Sequence, residues 1–445
     1  MSTQRLRAIL PVFVALAFLA LPAAAAVPEP VAASISAQYP SLEALYKDLH
    51  AHPELSLQEE KTAARVAAEL RAAGFEVTEK CGGTGVVGVL RNGPGPTLLI
   101  RTDMDALPVK EETGLPYAST VRTLNLSGAD VPVMHACGHD VHMTVFIGTA
   151  RMLSGLKDTW SGTLVLVGQQ AEELIVGARN MLTAGLYRKF PKPDFAIGLH
   201  DTPLFAAGSV AFTDGFVTAN SDSVDIVVRG IGGHGAAPEN TKDPIVLASQ
   251  IVLALQTIVS REIRPGDRAV VTVGTINGGT KNNIIPSEVK LQLTLRSYSA
   301  DVREHLVASI RRICRGEAIA AGVPDDLMPI VTVVGASAEA ISNDPALTKR
   351  VRAAVTGWLG AGHVETSEPI MGSEDFSQYG KTVERVPLCF FWLGAAAPEG
   401  LAESRRTGVP LPFLHSSKYA PDTEPTIKTG IAAMTAAALD ILAKN

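Results

Sequence analysis

Lysine and arginine form no run anywhere in the 445 residues, and the formal net charge is only −6. The electrostatic footprint of a nucleic-acid-binding protein is therefore missing. Glycine and proline follow no collagen-like or linker-like period, and no internal repeat or low-complexity tract appears beyond the first residues. Cysteine is scarce: Cys81, Cys137, Cys314 and Cys389 lie far apart. A chain this long does not need disulfide staples, although three pairings of four cysteines are formally open. There is no second short-spaced ligand pair of the C-x-x-C kind, which excludes an ordinary structural zinc clip.

What is present begins with a leader. Arg5 and Arg7 precede an apolar stretch from Ala8 to Val27 that ends in "LPAAAAVPEP". This pattern predicts a signal peptide over 1–26, cleaved after Ala26, and hence an exported, periplasmic or secreted protein. An uncleaved membrane anchor is the alternative reading of the same stretch. No cysteine stands at the cleavage point to suggest a lipoprotein.

The rest is long enough for two domains. Residues 41–73 read as two helices broken at "HPELS", with Ser56 and Glu59 spaced as a capping box for the second and Gly74 ending it. Short apolar strands follow at 85–90, 97–101, 163–168 and 194–200, separated by helical stretches that include 140–155 and 177–186. Continuous apolar strands alternating with helices predict an α/β fold whose mostly parallel sheet is covered on both faces. From about Gly215 the strands alternate as if half exposed, in a β-α-β-β-α-β order that predicts a small inserted α+β unit. The expected divisions are 37–215, an insert at 216–330, and a return to the first domain over 331–445.

The chemistry concentrates in "MHACGHDVHMTV", which places His135, Cys137, His139, Asp140 and His142 within a short span. Three predicted strands also run into polar clusters: Asp103 and Asp105, Glu172 and Glu173, and His200 with Asp201. Ligands bind beyond the carboxyl ends of strands in open parallel sheets, so these clusters can converge on one site. Plainer readings stand beside this one. Asp105 or His200 alone fits a turn or a helix N-cap, Asp140 fits an N-cap, and Glu172–Glu173 fits the solvated start of a helix. Cys137 between two histidines is better matched to a metal, leaving at least one of the other cysteines as a thiol. An adjacent pair of carboxylates suits a ligand beside a general base.

With these residues in view, the chain resembles the binuclear metallopeptidases of the aminoacylase and carboxypeptidase type. It is most similar to the amidohydrolase branch of hippurate hydrolases, N-acyl amino acid hydrolases and auxin-conjugate hydrolases. The resemblance rests on "LHAHPELS", "RTDMDALPV", "HACGHDVHM", "QQAEE", "GLHDTP", "GGHGAAPENTKDPI", "NIIPSEVKLQLTLRS", "GSEDF" and "LHSSKYAPD", in the family's order over about 40–440. It implies a catalytic domain with two metal ions and an inserted dimerisation domain. By motif, Cys137 would bridge the metals, with His139, Glu173, His200 and His415 as the other ligands. Glu172 would be the general base and Asp105 a carboxylate that orients the site. Asp103 stands where related branches have a ligand histidine and ranks lower. His234 resembles a residue that reaches the partner subunit's active site, and Asn283 and Arg296 resemble substrate contacts.

Gln170, Glu239 and the "DTP" after His200 depart from the pattern of many members, which weakens any transfer of specificity. The expected function is hydrolysis of the amide bond of N-acyl amino acids by a metal-activated water. A dipeptidase or carboxypeptidase of the same family, or a binding protein without turnover, are the alternatives. The mixed thiolate, imidazole and carboxylate set favours zinc or manganese and also admits cobalt or nickel. The expected partners are a small N-acyl amino acid or peptide and a second copy of the chain, with no membrane once the leader is removed.

Overall fold

The computed structural model describes residues 26–444. The expected leader, 1–26, lies outside the described residues apart from Ala26.

The chain opens with helix α1 (Glu29–Ala51) and, after the "HPELS" turn, α2 (Glu60–Ala72). Leu42, Leu45, Tyr46 and Leu49 of α1 are buried at helical spacing, so one stripe of this helix faces the core. Strands β1 (Glu76–Thr78), β2 (Val86–Asn92) and β3 (Thr97–Asp103) lead to the almost wholly buried α3 (His139–Gly155). β4 (Gly162–Gln169), α4 (Gly177–Thr183), β5 (Phe195–Ala206) and β6 (Val210–Phe212) follow.

The inserted segment contains β7 (Asn220–Arg229), α5 (Pro244–Thr257), β8 (Ala269–Gly278), β9 (Glu288–Ser297), α6 (Ala300–Ala320) and β10 (Ile330–Ala338). The chain then returns through α7 (Pro345–Leu359), β11 (Val364–Thr366), β12 (Leu388–Ala396) and α8 (Thr423–Ile441).

The large sheet has the order β1-β2-β4-β3-β5-β12-β6-β11. Its centre, β4-β3-β5-β12, is parallel, and the pairings toward β1 and between β12 and β6 are antiparallel. Both faces are apolar, for the period-two reason that made the strands read as continuous runs. Leu98, Ile100, Leu164 and Leu166 point into a core shared with α1, α3 and α8, while Leu99, Val165 and Val167 join the opposite core with Met181, Phe376 and Tyr379.

The inserted segment forms its own four-stranded antiparallel sheet, β8-β9-β7-β10. Val224, Ile226 and Val228 alternate inward with Leu291, Leu293 and Leu295, packing under Leu247, Ile251 and Leu255 of α5 and Leu306 and Ile310 of α6. Its last strand carries this sheet to Ala338, past the expected division at 330. β10 pairs with β7, so the helix α6 is followed by one more strand before the chain leaves the insert.

Two local expectations are corrected. Ser56 and Glu59 do not form a capping box. α2 starts with Glu59 as its N-cap and without a side-chain cap, because both side chains are committed elsewhere: Ser56 Oγ donates to Asp105 at 2.6 Å, and Glu59 accepts from Ala171 N at 2.9 Å and Thr84 Oγ1 at 2.7 Å. Asp140 is not the N-cap of α3, since Gly138 takes that position in a left-handed conformation. All four cysteines are buried and unpaired.

Candidate metal centre

β3 ends at Asp103, and the chain continues through Met104 to Asp105. β4 ends at Gln169, next to the turn Gln170–Ala171–Glu172–Glu173. Ala171 has φ 51, a strained value for a residue with a side chain, and its N–H is held by Glu59. β5 differs from expectation. It does not stop at His200 but runs to Ala206, with Trp392 of β12 opposite His200, because β12 continues to pair with it after β3 has turned away.

The start of α3 enters the space between these strands. Gly138 is required there: its φ is 76°, and a Cβ would lie 2.3 Å from Asp201 Oδ1.

Five of the expected residues come together. Cys137, His139 and His200 offer ligand atoms within 4.8 Å of one another, as do Cys137, Glu173 and His415. The two sets share the Cys137 sulfur, which is 3.3 Å from His200 Nε2. Glu173 Oε1 lies 3.5 Å from His415 Nε2 and 4.0 Å from His139 Nε2. His139 Nε2 and Glu173 Oε1 are buried without a hydrogen-bond partner among the described residues. A buried polar atom left alone costs more than a hydrogen bond returns, so two such atoms facing one space fit a cation. Burial and the charges of Glu173, Glu172, Asp201 and Asp103 push the Cys137 thiol well above its ordinary range. A dication would reverse that local balance and favour the thiolate.

Asp105 braces the site from behind. Its carboxylate accepts from the Ser56 hydroxyl, from Glu172 N at 3.1 Å and from Glu173 N at 3.0 Å. Its carbonyl oxygen lies 2.8 Å from His139 Nδ1, which leaves Nε2 to face the centre. Glu172 is buried beside Glu173. Burial first, then Glu374, Glu173 and Asp375, raise its carboxyl well above the usual range, against the pull of Arg101.

Beneath the centre lies a charged layer that the sequence did not announce. His142 Nδ1 is 2.7 Å from Asp103, and its Nε2 is 3.0 Å from Asp201. Tyr419 donates its hydroxyl to Asp201, and Arg101 reaches Asp103 at 2.6 Å, Glu374 at 2.8 Å and Asp375 at 3.1 Å. Asp103 is thus an acceptor for Arg101 and His142. The signal for these roles sat in the motifs "RTDMDALPV", "HACGHDVHM" and "GSEDF", but no local spacing joins Arg101 to Glu374. His135 is buried with neither ring nitrogen partnered among the described residues, and burial lowers its pKa to about 4, which keeps it neutral.

The remaining expected residues stand apart. His234 is exposed on the two-residue strand Gly233–His234, and its Nδ1 accepts from Ala236 N at 3.0 Å. Asn283 is exposed, and its carbonyl accepts from Gly235 N. Arg296 on β9 is half-buried and donates to Ser373 Oγ at 3.1 Å, across to the first domain. Of the three departures, Gln170 donates to Gly82 O at 2.8 Å, Glu239 is exposed, and Asp201 of "DTP" holds His142.

Residues 99–409 match the sequence pattern of peptidase family M20/M25/M40. The chain belongs to this family. Among its relatives, thermostable carboxypeptidase 2 of Saccharolobus solfataricus is 36% identical over 394 residues, 86% of this chain and 91% of that protein. The hippurate hydrolase of Campylobacter jejuni is 41% identical over 275 residues, 62% of this chain and 69% of its own. A solved structure, the Bacillus subtilis YXEP protein, described as a dinuclear metal binding peptidase from the M20 family, is 28% identical with a TM-score of 0.72. The match covers 91% of this chain and 99% of that one. This M20 protein is accordingly a metal-binding hydrolase of amide bonds with the α/β fold of the family.

Proposed function

We propose that the chain is an exported, homodimeric amidohydrolase that releases the amino acid from N-acyl amino acids, with an N-acetyl or a hippurate-like N-benzoyl group. Two divalent ions, zinc or manganese before cobalt or nickel, would be held by Cys137, His139, Glu173, His200 and His415. When bound, such ions polarise the amide carbonyl and lower the pKa of a coordinated water toward ~7.

The protein's own groups do the rest. Glu172 accepts the proton of the attacking water and returns it to the leaving amine. Its buried setting, which raises its affinity for a proton, suits both halves of that transfer. Asp105 fixes the backbone of Glu172 and Glu173 and the ring of His139, so the base and two ligands move as one unit. His234 of the partner subunit would donate to the developing oxyanion. Arg296, half-buried and bonded to a neutral serine, is suited to the free carboxylate of the substrate, and Asn283, whose carbonyl accepts from Gly235 N next to His234, is a second substrate contact in this reading.

One observation carries this reading: two ligand sets that share Cys137 and leave His139 Nε2 and Glu173 Oε1 unpartnered beside a buried Glu172. The dimer is supported by the edge strand β8, which among the described residues pairs with β9 alone, and by exposed Val246 and Leu253 of α5 and Ile276 of β8.

A second reading, peptide hydrolysis from the carboxyl end, is favoured by the 36% identity to a carboxypeptidase over 86% of the chain. Amino-acid release from N-acetyl amino acids, N-benzoyl amino acids and unblocked dipeptides, each with a chelated control, separates the two. Release from the acylated set alone supports the amidohydrolase. Turnover confined to dipeptides replaces it with the peptidase.

A further inference from the structure

The mechanism leaves one buried ionic cluster unused. His50, near the C-terminal end of α1, has carboxylates on both ring nitrogens: Asp140 lies 2.7 Å from Nδ1 and Glu111 lies 3.0 Å from Nε2. All three side chains are buried, and the rings of Tyr46 and Tyr117 close on the imidazole with centroids at 5.7 and 5.3 Å. Burial alone would drive the proton off His50. Hydrogen bonds to Asp140 and Glu111 override it and raise the pKa to about 10, so the cluster is a cation between two anions.

One of its carboxylates sits beside a proposed ligand, and the other belongs to a loop that touches the segment of another. Asp140 directly follows His139. Glu111 also accepts from Ser119 N at 2.6 Å and from the Thr113 hydroxyl, which closes the loop 111–119 on itself. The next residue, Glu112, binds the late segment twice. Its N–H donates to Ser417 O at 2.7 Å, and its carboxylate accepts from Ser417 Oγ at 2.8 Å.

That late segment presents His415, which has φ 68 and a side chain 56% exposed, against 11% for Glu173 and 10% for His200. Its other ties are His415 N to Ala136 O at 2.8 Å and the Tyr419 hydroxyl on Asp201. A strained, exposed ligand on a loop depends on its supports.

We propose that His50 is a positioning residue that clamps the 107–121 loop onto the start of α3, and through Glu112 and Ser417 sets how tightly the ion on the His415 side is held. The inference rests on the ligand assignment above. Removing the imidazolium leaves two buried carboxylates facing each other, and their separation loosens the loop rather than the centre itself. The His139 side keeps its own brace at Asp105, so the two ions should respond unequally.

The experiment measures metal per subunit by mass spectrometry after equilibrium dialysis against graded chelator, for wild type, His50→Gln, Glu111→Gln and Ser417→Ala. Groups bonded directly to a metal ligand change metal affinity by about 10- to 100-fold, and His50, acting through Glu111, Glu112 and Ser417, is expected at the lower end of that range. His50→Gln and Glu111→Gln should release one ion at correspondingly lower chelator and keep the other, and saturating metal should restore kcat. Ser417→Ala, which removes only an exposed hydroxyl, should shift the same ion in the same direction by less.

A folded His50→Gln that holds both ions as wild type does, or releases both in parallel, overturns the proposal. If His50→Gln does not fold, unchanged affinity in Ser417→Ala overturns it instead. His415→Ala is the reference: if it keeps both ions, the ligand assignment has failed, not the clamp alone.

Discussion

At Gly138 the backbone turns left-handed just before α3, and Asp201 occupies the place where a side chain would project. Gly138→Ala should cost about 1–2 kcal/mol for the left-handed conformation. It should also push Asp201 off His142 and lower metal content. Thermal melting with metal analysis checks this, and a variant matching wild type in both would show that the turn tolerates a Cβ.

His50 gives a second prediction at this scale. Its pKa rises from 6.5 to about 10 on folding, so its contribution to stability is complete below about pH 6.5 and is lost as pH climbs through 10. The melting temperature of chelated protein should fall over that alkaline range more steeply in wild type than in His50→Gln. Equal slopes would mean that the imidazole is not held charged.

Residues of this kind were unevenly legible. Cys137, His139 and Glu173 stood out because metal-capable side chains clustered within one turn or at adjacent positions. Ser56 and Glu59 misled because their spacing suits a helix cap, while Asp105 and Ala171, distant in sequence, compete for the same side chains and win. Arg101 gave no warning, since its three carboxylates come from two segments that only the fold brings together.

Among the elements, β3, β4 and the insert strands were readable because period-two burial leaves either an unbroken apolar run or strict alternation. β5 was cut short at His200, where "HDTP" turns polar and proline normally ends a central strand. It continues because β12 supplies a partner through Gly394 and again at Ala396. β10 is the final strand of the expected β-α-β-β-α-β order, and it extends to Ala338 because it keeps its pairing with β7. α5 lends itself to a test. Leu253 is 72% exposed on this helix, beside the edge strand β8. Leu253→Asp should leave the fold intact and convert the proposed dimer to a monomer in light scattering. Activity should fall with it, since His234 would then lack a partner site. A fully active monomer would remove both the dimer and the trans role of His234.

Over the whole molecule, the large sheet exists to hold carboxylates and imidazoles where water cannot compensate them. Asp103, Asp105, Glu172 and Asp201 are all buried at one end of it, with Arg101 and His142 between them. Dications complete that balance in the proposed reading, so chelation should lower the melting temperature and added zinc or manganese should restore it. The central claim is that Glu172 moves the proton and does not hold the metal. Its most direct test is metal content and hydrolysis of N-benzoylglycine, measured on the same samples of wild type and Glu172→Gln. Two ions per subunit are expected in both proteins, with a loss of turnover of about 10²–10⁴-fold in the variant. Turnover near the wild-type level in a metal-loaded Glu172→Gln would contradict it.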